Sequence, residues 1–300
     1  MSKIIIAIGE ILFDIFPNSK NLGGAPFNFA YHVKKLGMET RFISRVGADN
    51  NGQDIIQKIT SYGFDPEDIQ MDEEHETGLV NVKLNSQGIP SYEIKENAAY
   101  DYIQFTNRID AILKIPPALI YFGTLAQRTK KGMDNIQTLL LHRHLETKCL
   151  LDVNLRKGHI SEAAIFKSLL NVNFLKLNET ELKEISRIFG YQKSHDQYLE
   201  FLFQEFPLEV IALTLGKDGV MLYNNTSEFR INEIPIKNIA DTVGAGDAFA
   251  SVFAIGCLHG WSLEKIGTLA SKFAAEVCQV SGAIILDEGL LSKYRRKLNA

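Results

Sequence analysis

The chain has 300 residues, 45% of them hydrophobic, with a formal net charge of −4 and a pI of about 6.0. That composition supports a substantial core and excludes a disordered chain, and the acidic balance carries no basic footprint for nucleic acid. Cys149, Cys257 and Cys278 are widely spaced in apolar runs, without CxxC or metal-ligand spacing, and read as reduced core thiols. No apolar run reaches membrane-spanning length, so a cytoplasmic, soluble protein is expected.

The first element predicted is a strand over Ile4–Ile8, apolar throughout as a central parallel strand should be, and too short for a signal peptide. A second strand, Ile11–Phe16, carries Asp14 among apolar neighbours and stops at Pro17-Asn18. Asp14 reads equally as a cleft residue or as a solvent-facing acid on an edge strand. Leu22-Gly23-Gly24-Ala25-Pro26 opens a helix over about 27–36, with Asn28 in its first turn and Gly37 as its stop. A strand from Thr40 to Val46 turns through Gly47-Ala48-Asp49 into a helix over 52–62.

Between about 77 and 103 the β-α rhythm breaks. Leu79–Leu84 and Ser91–Lys95 alternate around Asn85-Ser86-Gln87-Gly88, which predicts a hairpin. Two strands cannot cover Val80, Val82, Leu84, Tyr92 and Ile94. We therefore expect a small β-sheet lid, built from about 11–17 and about 77–103, standing off one domain that spans 1–300. Its apolar face suggests a homodimer, with packing on the main domain as the plain alternative.

From 118 the alternation resumes, with strands near 118–122, 149–153, 173–177 and 209–215 and helices near 130–145, 161–170, 179–189 and 195–205. Right-handed crossovers and a parallel sheet follow. A hairpin around Asn224-Asn225 and helices over 247–259 and about 262–280 complete the chain.

Three strands end in polar runs: Asp152-Val153-Asn154-Leu155-Arg156, Lys176-Leu177-Asn178-Glu179-Thr180-Glu181, and Thr214-Leu215-Gly216-Lys217-Asp218-Gly219. Ligands of open α/β sheets gather at such carboxyl ends. The most informative stretch is Asp241-Thr242-Val243-Gly244-Ala245-Gly246-Asp247, followed at once by an apolar helix. A glycine-rich helix start attracts phosphate. An acid placed there repels that anion, so Asp247 makes sense as a base for the attacking hydroxyl, or more plainly as an N-terminal helix acid.

The longer string resembles the C-terminal signature of the ribokinase-like (PfkB) family of sugar and nucleoside kinases. Gly23-Gly24 with Asn28 resembles that family's N-terminal signature. Val46-Gly47, Asp49 and Gly52, then Asn178 with Glu181, then Thr214, Gly216 and Gly219 match further landmarks in order. The resemblance implies an α/β ribokinase-like fold and ATP-dependent phosphorylation of a hydroxymethyl group. It assigns Asp247 as the base, the amides of Gly244, Ala245 and Gly246 as the anion hole, and Asp14, Gly23, Gly24 and Asn28 to the sugar; Arg156 reads equally as a contact to a sugar hydroxyl or carboxylate and as a surface arginine paired with an acid. Thr214, Gly216 and Gly219 would lie along ATP, with Asn178 and Glu181 acting on Mg²⁺ through water. Many relatives also bind a monovalent cation such as K⁺; the matching positions are Asp241, Val243, Val277, Val280 and Gly282, while Leu286 stands where some relatives have a hydroxyl.

The DxNLR run, with Val153 in place of a common proline, is most similar to the fructokinase and 2-keto-3-deoxygluconate kinase branch. Some members carry an arginine where this chain has Lys95, and lysine is a poorer bidentate partner for carboxylate. A neutral ketohexose such as fructose is therefore expected. A 2-keto-3-deoxygluconate, ribose or nucleoside kinase and a non-catalytic sugar-binding relative are the alternatives.

Overall fold

The computed structural model describes residues 4–84, 90–191, 194–236 and 238–298. In chain order its strands are β1 (Ile5–Ile8), β2 (Leu12–Phe16), β3 (Ser19–Gly23), β4 (Thr40–Gly47), β5 (Ile69–Asp72), β6 (Gly78–Leu84), β7 (Pro90–Ile94), β8 (Leu119–Gly123), β9 (Lys148–Asp152), β10 (Phe174–Asn178), β11 (Val210–Thr214), β12 (Val220–Asn224) and β13 (Glu228–Ile231). The helices are α1 (Ala25–Lys35), α2 (Asn50–Ser61), α3 (Asn107–Leu113), α4 (Lys130–His142), α5 (Glu162–Leu169), α6 (Glu179–Ile188), α7 (His195–Glu205), α8 (Ala245–Leu258), α9 (Leu263–Val277) and α10 (Glu288–Leu298).

Nine strands form one sheet in the order β13-β12-β11-β10-β9-β8-β1-β4-β5, parallel except for the β12 and β13 pairings. Alternate residues of β1 face opposite layers. Ile5 and Ala7 join a core with Phe27, Phe29, Phe253 and Phe273 from α1, α8 and α9. Ile6 and Ile8 join a second core with Ile109, Ile136, Ile165, Leu182 and Leu202 from α3 to α7. Each such fully buried large side chain contributes roughly 1.5–3 kcal/mol, so the continuous burial from Ala248 to Gly256 holds α8 firmly on the sheet.

The chain runs outward in both directions from β1, whose neighbours are β8 and β4. This is the topological switch point where an open sheet leaves a crevice at its carboxyl edge.

The remaining strands make a separate sheet, β3-β2-β6-β7. The expected small second sheet is present, with β3 as an additional strand that its polar sequence concealed. It also stands off less than expected: Phe13 is buried, and Ile15, Leu22 and Leu79 pack against the first core. The predicted turn at Asn85–Gly88 lies outside the described residues.

The lid hinge is fastened by carboxylates. Asp49 caps α2 by accepting from the Gly52 N–H at 2.8 Å, and it also takes the Thr77 N–H at 2.8 Å and the Thr77 hydroxyl at 2.7 Å. Asp72 accepts from Arg45 Nε at 2.6 Å and from the N–H groups of Glu74 and His75 at 2.9 and 3.0 Å. These bonds immobilise the chain immediately before β6 enters the lid.

Candidate active site

Gly244 precedes α8 with φ of 80°, and a β-carbon there would lie 2.5 Å from the Ala283 carbonyl oxygen. Only glycine makes this turn, which presents the first N–H groups of α8 to the crevice. Of the three expected anion-hole amides, that of Ala245 also donates a long 3.4 Å bond to the Thr242 carbonyl. Asp247 follows in the first turn of α8.

Asp247 is half-buried, and its Oδ2 accepts a 2.7 Å hydrogen bond from Asn28 Nδ2 on α1. Burial raises its pKa to about 7, with the Asp152 charge acting in the same direction and Asn28, Lys176 and Arg156 opposing. A carboxyl so tuned can take a proton near neutral pH. Asn28 thus touches the candidate base, while its own Oδ1 is buried without a partner among the described residues.

Other predicted sugar-side residues converge on this crevice. Asp14, on β2, is pushed up to about 6 by burial; Arg156 opposes that shift and Asp241 adds to it. A β-carbon at Gly23 would lie 2.6 Å from Asp14 Oδ2, and one at Gly24 would lie 2.5 Å from the Glu10 carbonyl oxygen. The glycine pair therefore serves close packing of the chain itself, beyond the ligand approach expected of it. Arg156 is exposed and forms no side-chain hydrogen bond or ion pair among the described residues, yet its charge acts on Glu10, Asp14 and Asp247. Lys95 turns to an ion pair with Glu76.

On the opposite side, Asn178 ends β10 and caps α6 in a reciprocal box with Glu181, at 2.9 and 2.8 Å. The other oxygen of Glu181 takes the Leu155 N–H at 2.9 Å. The two residues therefore fix the strand ends as well as offering oxygen ligands. Among the described residues no group of three or more His, Cys, Asp or Glu side chains could hold a metal directly. The oxygen donors that are present suit Mg²⁺ held through water and phosphate. Thr214 ends β11 with its hydroxyl on the Leu177 carbonyl at 3.3 Å, and Gly216 and Gly219 flank the short turn that follows.

Asp241 lies against the loop that follows α9. Asp241 accepts from the Val243 N–H at 3.0 Å and from the Gly282 N–H at 3.4 Å. The Val277 carbonyl already accepts from the Val280 N–H at 3.2 Å, and Leu286 is exposed.

Lys176 and Asp152 stand in the polar strand-end runs, but neither showed a role of its own there. Lys176 Nζ binds both Asp152 oxygens, at 2.8 and 2.9 Å, and lies 3.4 Å from where a β-carbon of Gly246 would be. Burial alone would lower its pKa, but Asp152 and then Glu181 outweigh that and raise it. A buried cation thus stands beside the glycine turn expected to form the anion hole, its charge balanced by an acid that also receives the Tyr121 hydroxyl at 3.1 Å. The available signal was a lysine inside the otherwise apolar strand FLKLN, because a buried charge needs a partner.

Known proteins match this chain over most of its length. The family model described as pfkB family carbohydrate kinase matches residues 16–288. The sugar kinase PH1459 of Pyrococcus horikoshii is 28% identical over 93% of this chain and 91% of its own. Its structure in complex with ATP aligns with a TM-score of 0.81 at 26% identity, covering 98% of this chain and 99% of that one. A 5-dehydro-2-deoxygluconokinase of Clostridium botulinum is 25% identical over 90% of this chain and 86% of its own. The fold is also that of a fructokinase of Xylella fastidiosa, with a TM-score of 0.84 at 18% identity over 100% of both chains.

Proposed function

This chain belongs to the pfkB family of carbohydrate kinases, and on that premise we propose that it transfers the γ-phosphoryl group of ATP to a hydroxymethyl group of a small neutral sugar, a ketohexose such as fructose. The observation that carries this reading is the Asp247 carboxyl, hydrogen-bonded by Asn28 at the glycine turn of α8 and tuned to about pH 7. Asp247 takes the proton of the acceptor hydroxyl. The amides of Gly244, Ala245 and Gly246, with the Lys176 ammonium beside them, stabilise charge on the transferring group. Asp14, Gly23, Gly24, Asn28 and Arg156 surround the sugar, and Thr214, Gly216 and Gly219 lie along the nucleotide. Asn178 and Glu181 would hold Mg²⁺ through water, and that ion would supply charge neutralisation. A K⁺ site at Asp241, Val243, Val277, Val280 and Gly282 belongs to the same reading.

The neutral sugar is supported by Lys95, whose ammonium is engaged by Glu76 and is not offered to a carboxylate. A keto sugar acid is the second reading, favoured by the unpaired Arg156. Among the described residues no helix is long and apolar enough to cross a membrane, which accords with work in the cytoplasm. Exposed Tyr92 beside Val82 supports a homodimer through the lid, and sedimentation at micromolar concentration showing only monomer would rule that out.

The decisive assay is ADP formation from Mg²⁺-ATP over a panel of neutral sugars, sugar acids and nucleosides. Turnover on one compound that disappears in Asp247→Asn is expected. Near wild-type turnover in that variant would remove Asp247 as the base.

A further inference from the structure

Three buried polar atoms near the lid base have no partner among the described residues: Glu10 Oε2, the Tyr100 hydroxyl and Arg128 Nη1. Glu10 is 3% exposed, Tyr100 0%, and the Arg128 side chain 5%. Each such orphan costs about 1–3 kcal/mol, so three together mark a place that a ligand or a trapped water must complete.

They do lie together. The Arg128 guanidinium is 5.2 Å from the centre of the Tyr100 ring, and the Glu10 charge acts on both residues. Yet among the described residues no ion pair joins Glu10 to Arg128, and the two atoms left without partners do not satisfy one another. Arg128 is fixed by its other nitrogens, with Nε and Nη2 on Asp101 at 2.8 and 2.7 Å and Nη2 on the Lys95 carbonyl at 2.6 Å.

The placement is that of a ligand site. Glu10 follows β1 and Arg128 follows the turn after β8, the adjacent strands at the switch point. Tyr100 lies under the start of β6, where a β-carbon at Gly78 would come within 2.5 Å of its ring. The Glu10 charge also acts on Arg156 and Asp247.

We infer that Glu10, Tyr100 and Arg128 form the inner end of the acceptor site and bind an uncharged hydroxyl of the sugar, distal to the hydroxymethyl group offered to Asp247. This rests on the sugar-kinase reading above and names the acceptor class. A hydroxyl donates to Glu10 and accepts from Arg128 at once. Above about pH 7, where Glu10 is ionised, a carboxylate accepts from Arg128 but brings no hydrogen to Glu10 and sets a like charge beside it. A deoxy position leaves every orphan unsatisfied, which is how a polar pocket rejects an analogue.

The test measures binding of D-fructose and of 5-keto-D-gluconate by calorimetry, with a non-hydrolysable ATP analogue and Mg²⁺ present, and phosphoryl transfer from ATP in parallel. Wild type should bind fructose more tightly than the keto acid. Tyr100→Phe and Glu10→Gln should each weaken fructose about tenfold or more while leaving affinity for the ATP analogue unchanged. Tyr100→Phe should not lower Tm, because it deletes an atom without a partner. Glu10→Gln should also narrow the preference for fructose over the keto acid. Unchanged fructose affinity in both variants would mean the cluster holds only water and would overturn the proposal. Tighter wild-type binding of the keto acid, or no fructose binding, would overturn it too. Cluster-dependent sugar binding without phosphoryl transfer would sink the kinase reading alone, whereas transfer untouched by the substitutions would sink the subsite alone.

Discussion

At the lid hinge, Asp49 and Asp72 are surrounded by donors, and in the crevice Glu10, Asp14 and Asp247 are not. Burial acts against all five carboxylates. In Asp49 the N–H groups of Thr77 and Gly52 overcome it, and in Asp72 Arg45 and the backbone of Glu74 and His75 do so, leaving both below the usual range. In Glu10 and Asp247 burial prevails and each reaches about 7, while Asp14 reaches about 6. A carboxylate whose lone pairs are filled by the protein holds structure; one left wanting is available to a substrate.

The sharpest way to break this contrast is to neutralise the base. Asp247→Asn should lower kcat roughly 10²–10⁴-fold, the usual worth of a general base, with Tm held or raised; single-turnover assays on the true substrate check it. Next in size, Asp49→Ala should destabilise the fold by about 3 kcal/mol through loss of a helix cap and of the Thr77 bonds, with catalysis per folded molecule changed far less. Chemical denaturation measures it, and an unchanged midpoint would show that the hinge is held elsewhere.

The smallest effect is in pH. With Asp247 as the proposed base, kcat/KM should rise with pH through about 7 and then level, with Glu10 titrating in the same range. The stability signs are opposite in the two regions. The crevice acids bind protons more tightly when folded, so their contribution is complete below about pH 4 and is lost as pH rises through about 6 to 7. The hinge acids contribute above about pH 4, and that contribution is lost as pH falls through their depressed values. Thermal melts of Asp247→Asn should therefore show a shallower decline between about pH 5 and 8 than wild type.

Much of this was legible in the residues. The strand-helix alternation after Leu119 agrees with the structure to within a few residues, because central parallel strands are apolar on both faces and stand out against capped helices. Gly244 and Asp247 were readable because a turn chemistry and a helix start coincide in one short string. β3 was not, since SKNLG has neither alternation nor β-branched residues and exists as a strand only by pairing with β2. Lys176 and Arg128 were hidden for a related reason. Their burial is tolerable only through Asp152 and Asp101, 24 and 27 residues away, and no local pattern encodes that compensation.

The Asn28–Asp247 bond joins residues 219 positions apart. On the ribosome, the first strand and helix are synthesised long before α8 emerges, so a nascent chain carries Asn28 well before the proposed base exists. The two halves of the proposed site meet only once α8 has been made. On that reading, a product that stops before α8 would lack the residue that takes the acceptor's proton.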